Sequence, residues 1–176
     1  MLGRVPGLNG FHSTTDYRKA TTVPGLLLYR FNGNLVFFNV DYFCARLRRA
    51  VRRAEQPVAW VVVDASPIDL LDATAAQRVA ELQAELAAQG IELGVARAKR
   101  QLRHYFDPRW RGAVTGKRFP TLKSAVRAFE AAKAYGAAGP PADSPALRQG
   151  ADGRRDVPGI DDAAADDEAL QQEDGR

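Results

Sequence analysis

The sequence has little of what several functional classes require. Of its 176 residues, one is cysteine, one methionine, two are histidine and two tryptophan. A single thiol, Cys44, excludes an internal disulfide and every cysteine-based metal cluster, and it suits a reducing compartment. His12 and His104 stand without a neighbouring ligand pattern, so no metal site is expected and each reads as a surface histidine. No apolar run approaches the roughly 18–20 residues that a membrane-spanning helix needs; Val58 to Val63 is representative. The opening MLGRVPGLNG has no apolar h-region, so a secretory signal peptide is not expected. There is no Gly-x-Ser-x-Gly nucleophile elbow. Gly116-Lys117 resembles the end of a phosphate loop, but Arg111 stands where that motif needs glycine and Arg118 where it needs Ser or Thr.

What is present is ordinary for a globular domain: 45% hydrophobic and 26% charged residues, with a net charge of +4. The length suits one domain with tails. Charge is unevenly spread. Residues 1–136 hold 21 basic and 11 acidic side chains, a balance of +10, whereas residues 137–176 hold 4 and 10, a balance of −6. The second block has no aromatic residue and no apolar period, so residues 136–176 are expected to form a disordered acidic tail. Residues 1–20, polar and Gly/Pro-bearing, read as an approach segment without an element. The domain proper is expected at 21–135.

Within it, Gly25 to Phe31 reads as a strand and Leu35 to Phe38 as a second apolar run. The intervening Asn32-Gly33 predicts a hairpin. From Asp41 to Ala54, Phe43, Cys44, Leu47, Ala50 and Val51 recur at helical spacing, with Asn39 or Asp41 available as cap and arginines on the opposite face. Val58 to Val63 is apolar on both faces, as a central strand should be. Asp72 to Gln89 is a helical pattern with the stripe Ala75, Val79, Leu82 and Leu86, closed by Gly90. Ile91 to Ala96 reads as a strand, 101–106 as a short helix, Arg118-Phe119 as a brief strand. A last helix follows Pro120-Thr121, with Leu122, Val126 and Phe129 on one side. This alternation predicts a single α/β domain, a mixed sheet with helices on its face.

Asp64, Asp69 and Asp72 lie in one strand-to-helix loop. Three neighbouring carboxylates suit a divalent cation or acid/base work, but Asp72 falls at a helix N-cap and Asp64 at a strand end, so structural roles are expected and no catalytic residue is assigned. The loop sits where ligands of α/β sheets gather. Asp64, Ser66, Asp69, Asp72, Ala73 and Thr74 are therefore the expected partner-facing residues. The arginine-rich first helix and the run Arg97, Lys99, Arg100, Arg103 suit an anionic partner. An anionic membrane surface fits them; no specific nucleic-acid motif accompanies them.

Four stretches carry a family resemblance. Val23-Pro-Gly-Leu-Leu-Leu-Tyr-Arg-Phe31 with Leu35-Val-Phe-Phe-Asn39 resembles the opening pattern of STAS domains in SulP-type anion permeases. Val61-Val-Val-Asp-Ala-Ser66 through Leu71-Asp-Ala-Thr-Ala75 is similar to their strand, loop and helix start. Leu86 to Arg97 and Phe119-Pro-Thr-Leu-Lys-Ser-Ala-Val126 resemble their later strand and last helix. Leu2-Gly-Arg-Val-Pro-Gly-Leu and Asp16-Tyr17 look like the segment joining the last membrane helix to that domain, making residues 1–20 a linker after a missing membrane domain. Order and spacing together, over about residues 2–135, make the match specific.

The resemblance implies a STAS fold of roughly four strands with helices on one face. It implies a non-catalytic, cytoplasmic regulatory domain, at the inner face of the cell membrane when attached to a transporter of sulfate or similar anions. The partners implied are that transporter's membrane domain or other cytoplasmic regulatory proteins. The alternative is a free-standing protein resembling anti-sigma-factor antagonists. In those, the hydroxyl residue after the loop Asp is phosphorylated; here it is Ala73, leaving Thr74 as the nearest phosphosite. No cofactor is expected. Guanine nucleotide binding occurs in some domains of this class, and the one feature here that suits it is the positive end of the helix beginning at Asp72.

Overall fold

A computed structural model describes residues 1–106, 114 and 116–138. These fall within one compact unit, Met1–Pro140. The expected acidic tail lies outside the described residues from position 139 onward, although the last helix runs through residue 136.

Among the described residues the elements follow in the order β1 (Leu2–Gly3), β2 (His12–Ser13), β3 (Leu26–Arg30), α1 (Val40–Arg52), β4 (Trp60–Asp64), α2 (Ala73–Ala88), β5 (Glu92–Ala96), a 3-10 segment (Arg100–Phe106), β6 (Lys117–Phe119) and α3 (Leu122–Ala138). The strands form one sheet in the order β2-β1-β3-β4-β5-β6. β3 to β6 are parallel neighbours, whereas β1 pairs antiparallel with both β2 and β3. The mixed α/β sheet is as expected, with six strands rather than four. The two additional ones lie in residues 1–20, where no element was expected, because two-residue strands leave no periodicity in a sequence.

The β3-α1-β4 and β4-α2-β5 units advance along the sheet in one direction. Right-handed crossovers therefore place both helices on the same face. Val40, Phe43, Cys44 and Leu47 of α1 and Ala75, Val79, Leu82 and Leu86 of α2 pack there on Leu27, Tyr29, Val61, Val63, Leu93 and Val95. The other face is not bare, as a one-sided fold would leave it. Leu122, Ala125, Val126 and Phe129 of α3 cover Leu26, Leu28, Val62 and Ala96. A strand with both faces buried reads as a continuous apolar run, which is why β3 and β4 show no alternation.

The hairpin expected at Asn32-Gly33 does not form. Both edges of β3 are taken, by β1 and β4, so no ladder position remains for a returning strand. Instead Leu35 is buried and forms a single parallel bridge with Leu71. The Leu35 N–H donates to the Leu70 carbonyl at 3.0 Å, and the Asp72 N–H to the Leu35 carbonyl at 3.2 Å. Residues 34–38 are thus a strap sewn onto the loop between β4 and α2.

Helix ends follow local chemistry. Gly90 takes φ 73° just beyond α2, a left-handed value that costs glycine nothing. Thr121 Oγ1 accepts from the Ser124 N–H at 3.0 Å and caps α3. Asn39 occupies the N-cap position of α1, but its side chain turns back into the strap, accepting from Val36 N–H at 3.0 Å and donating to the Asn34 carbonyl at 2.9 Å.

Candidate functional site

Parallel strands end together, so the carboxyl ends of β3, β4 and β5 present one edge of loops. Strand register sets what meets there. Arg30 pairs with Asp64, and Asp64 with Ala96, which brings Arg97 next to the same carboxylate. Asp64 is wholly buried. Arg30 Nε donates to its Oδ2 at 2.7 Å, Arg97 Nε to Oδ1 at 2.9 Å, and the Ser66 N–H to Oδ1 at 3.1 Å. A second donor of Arg97, Nη2, also reaches Oδ2. Burial alone would raise the pKa of this carboxyl; the hydrogen bonds from Arg97, Arg30 and Ser66 outweigh it and hold the group below the usual carboxylate range.

The three carboxylates of the loop do not converge. Asp69 is exposed and pairs with Lys99; its N–H and that of Leu70 both donate to Asn34 Oδ1 at 3.0 Å. Asp72 caps α2, accepting from the Ala75 N–H at 2.7 Å, and its other oxygen accepts from the Phe37 N–H at 2.8 Å. Among the described residues no three His, Cys, Asp or Glu side chains gather as metal ligands. Ala73 and Thr74 lie exposed in the first turn of α2, and Ser66 is half-buried beside Asp64. The side chain of His104 lies outside what is described. Cys44 is buried, and burial pushes its thiol pKa up, away from reactivity.

Several residues that shape this edge are not signalled by the sequence. Arg97 was expected in a basic surface run, yet it and Lys99 are engaged by Asp64 and Asp69. Arg97 also holds φ 58°, a left-handed backbone that non-glycine residues rarely adopt. Asn34 and Asn39 fasten the strap by side-chain bonds that no motif announces. The strap then presents Phe37 and Phe38, 67% and 75% exposed, their rings edge-to-face at 5.5 Å. Leu70 and Tyr42 are exposed as well. This apolar group is fixed to the loop by Asp72 and Asn34, so it forms part of the same site.

Comparisons with known proteins agree with this architecture. The family model for the STAS domain matches residues 17–108. A probable sulfate transporter of Mycobacterium tuberculosis is 36% identical over 131 residues, covering 73% of this chain and 23% of that protein. Sulfate transporter 1.1 of Arabidopsis thaliana is 28% identical over 104 residues, 54% of this chain and 16% of the relative. The chain thus spans less than a quarter of the length of these relatives. Among solved structures, the murine Solute Carrier 26 family member A9 anion transporter superposes with a TM-score of 0.64 at 18% identity, covering 74% of this chain and 22% of that one. A sulfate transporter family protein from Wolinella succinogenes gives a TM-score of 0.54 at 18% identity, over 70% of this chain and all of that chain. Among the described residues no helix is long and apolar enough to cross a membrane. With a parallel core sheet, the family's matched span and relatives that are sulfate transporters, this chain belongs to the STAS domain family.

Proposed function

We propose that this chain is a regulatory and interaction domain of a SulP-type anion transporter, placed at the inner face of the cell membrane. Its docking edge is the loop from Asp64 to Thr74 together with the strap that carries Phe37 and Phe38. The observation that carries the reading is the exposed apolar group Phe37, Phe38 and Leu70, held in place by the Asp72 carboxylate and the Asn34 amide. A folded domain leaves such a patch uncovered where another surface meets it. No catalytic step is assigned: Asp64 is saturated by two guanidinium groups, Asp69 by Lys99 and Asp72 by backbone N–H groups, so none is positioned to exchange a proton with a substrate.

Chemical-shift mapping of the labelled chain against the detergent-solubilised membrane domain of a cognate transporter tests this reading. Perturbation is expected at residues 34–38 and 66–74. Perturbation confined to α3 and the β1-β2 edge would overturn the assignment of the docking edge.

A further inference from the structure

The outer face of α1 carries a second surface, which shares only Phe37 and Phe38 with the docking edge. Its inner face is committed to the core through Val40, Phe43, Cys44 and Leu47. Tyr42, Arg46, Arg49 and Arg53 follow one another at steps of i+4, i+3 and i+4, which lines them up along the side turned away from the sheet. All four are exposed. The Arg46 guanidinium lies 5.6 Å from the centre of the Tyr42 ring.

The arginines of this helix divide into two kinds. Arg48, on the flank toward α2, makes a two-pronged ion pair with Glu85, and the neighbouring Asp41 is matched by Arg78 at 2.8 Å. Arg46, Arg49 and Arg53 make no ion pair with a carboxylate among the described residues, although the Arg46 guanidinium also hydrogen-bonds Tyr29. Arg52 lies toward α2 and helps to hold Glu85 ionised. The fold therefore neutralises charge between α1 and α2 and leaves it standing on the outer stripe. Just before the amino end of α1, which begins at Val40, the strap exposes Phe37 and Phe38, and Tyr42 is exposed in the first turn.

We infer that this stripe binds an anionic lipid surface. Arginines along the helix would face the headgroups while the phenylalanine pair enters the boundary of the acyl region. The arrangement fits a plane better than a polynucleotide track: the aromatic pair lies at one end, whereas single-strand binding alternates rings with cations along the groove. The inference stands on α1 and the strap alone. Vesicle binding by the isolated chain tests it without a transporter, so its failure and the failure of the docking-edge reading are separable.

The experiment is co-sedimentation of the full chain with phosphatidylglycerol/phosphatidylcholine vesicles and with pure phosphatidylcholine vesicles, at low and physiological salt. The wild type is expected to bind the anionic vesicles only. Reversal at Arg46→Glu with Arg49→Glu should weaken that binding by at least about tenfold, since each basic residue near such a surface matters severalfold. An equal charge change on the opposite side of the sheet, Lys123→Glu with Arg127→Glu, should leave most of it. Phe37→Ser with Phe38→Ser should remove the binding that persists at physiological salt. All six positions are exposed, and the folding of each variant is to be checked by circular dichroism. Failure of the wild type to bind anionic vesicles overturns the inference, as does equal loss in the two charge-reversed pairs, which would reduce the effect to net charge. Unchanged binding in the phenylalanine variant overturns the insertion half of it. Binding of single-stranded RNA in place of the vesicles would assign the stripe to a different partner and overturn it too.

Discussion

Arg97 closes β5 in a left-handed backbone, φ 58°, and from there turns its guanidinium onto the buried carboxylate of Asp64 at the end of β4. Its own N–H donates to the Phe119 carbonyl at 2.9 Å, so the unusual backbone also joins the end of β5 to the end of β6. Two opposing effects meet at one residue: backbone strain of about 1–2 kcal/mol, and a forked, charge-assisted hydrogen bond to a carboxylate removed from water. Replacement separates them. Arg97→Ala loses the ion pair and keeps the strain; Arg97→Gly loses the pair but relieves the strain. The glycine variant should therefore be the more stable by about 1 kcal/mol in urea unfolding. Equal midpoints would show that the left-handed backbone stores no strain.

Removing Asp64 has a larger effect. Asp64→Ala leaves Arg30 and Arg97, 33% and 36% exposed, facing an emptied apolar edge. Because both cations keep some water, the loss should be near the lower end of the roughly 3–5 kcal/mol seen on breaking buried pairs. A double-mutant cycle of Asp64→Ala with Arg97→Ala measures the coupling directly.

Acid should weaken the fold through this same carboxylate. Its folded-state pKa lies below the unfolded value, so the unfolded chain takes up the proton first. The stabilisation is complete above the unfolded value of about 3.9 and is lost as pH falls through the folded pKa. Unfolding midpoints followed from neutral pH downward should decline in the acid carboxylate range for the wild type. The Asp64→Asn variant, weaker at neutral pH, should decline less. Parallel decline of the two proteins would assign acid lability to other carboxylates.

Asp72 has two structural duties, one oxygen for the α2 cap and one for the strap at Phe37. Asp72→Ala should cost about 2 kcal/mol, roughly half from the cap and half from the strap bond. Asp72→Asn has only one accepting oxygen, so it should recover about half of that loss rather than most of it. Full recovery by Asn would mean that the strap bond adds nothing. Amide exchange of Phe37, read by NMR, should accelerate in both variants.

Thr74 is exposed in a first turn that holds no acidic residue. Thr74→Glu should therefore raise stability by about 0.3–1 kcal/mol through the helix dipole. Docking to a membrane domain should weaken if the edge meets an apolar or acidic surface. A fall in thermal midpoint would show that the first turn of α2 does not tolerate charge.

Much of the fold was legible in the residues. Central strands announce themselves when both faces are buried, as in Val61 to Val63, and amphipathic helices when an apolar stripe repeats, as in Ala75, Val79, Leu82 and Leu86. The Asp72 cap and the Gly90 stop follow from backbone groups within a few positions, so sequence alone determined them. The order of motifs was enough to indicate the family. Tertiary structure decided the rest, wherever the partner lies far along the chain. Asn32-Gly33 carries a hairpin signal, but the edges of β3 were filled by residues 2 and 60–64, and Leu35 was drawn to Leu71 instead. Arg97 looked like one cation in a surface run; only parallel register placed it against Asp64, thirty-three positions earlier. Likewise α1 shows where its arginines lie on the helix, but not which of them find a carboxylate. Packing against α2 supplied Glu85 to Arg48 and left Arg46 and Arg49 without a carboxylate among the described residues, because opposite charges separate into paired and unpaired sets only when the elements carrying them are brought together.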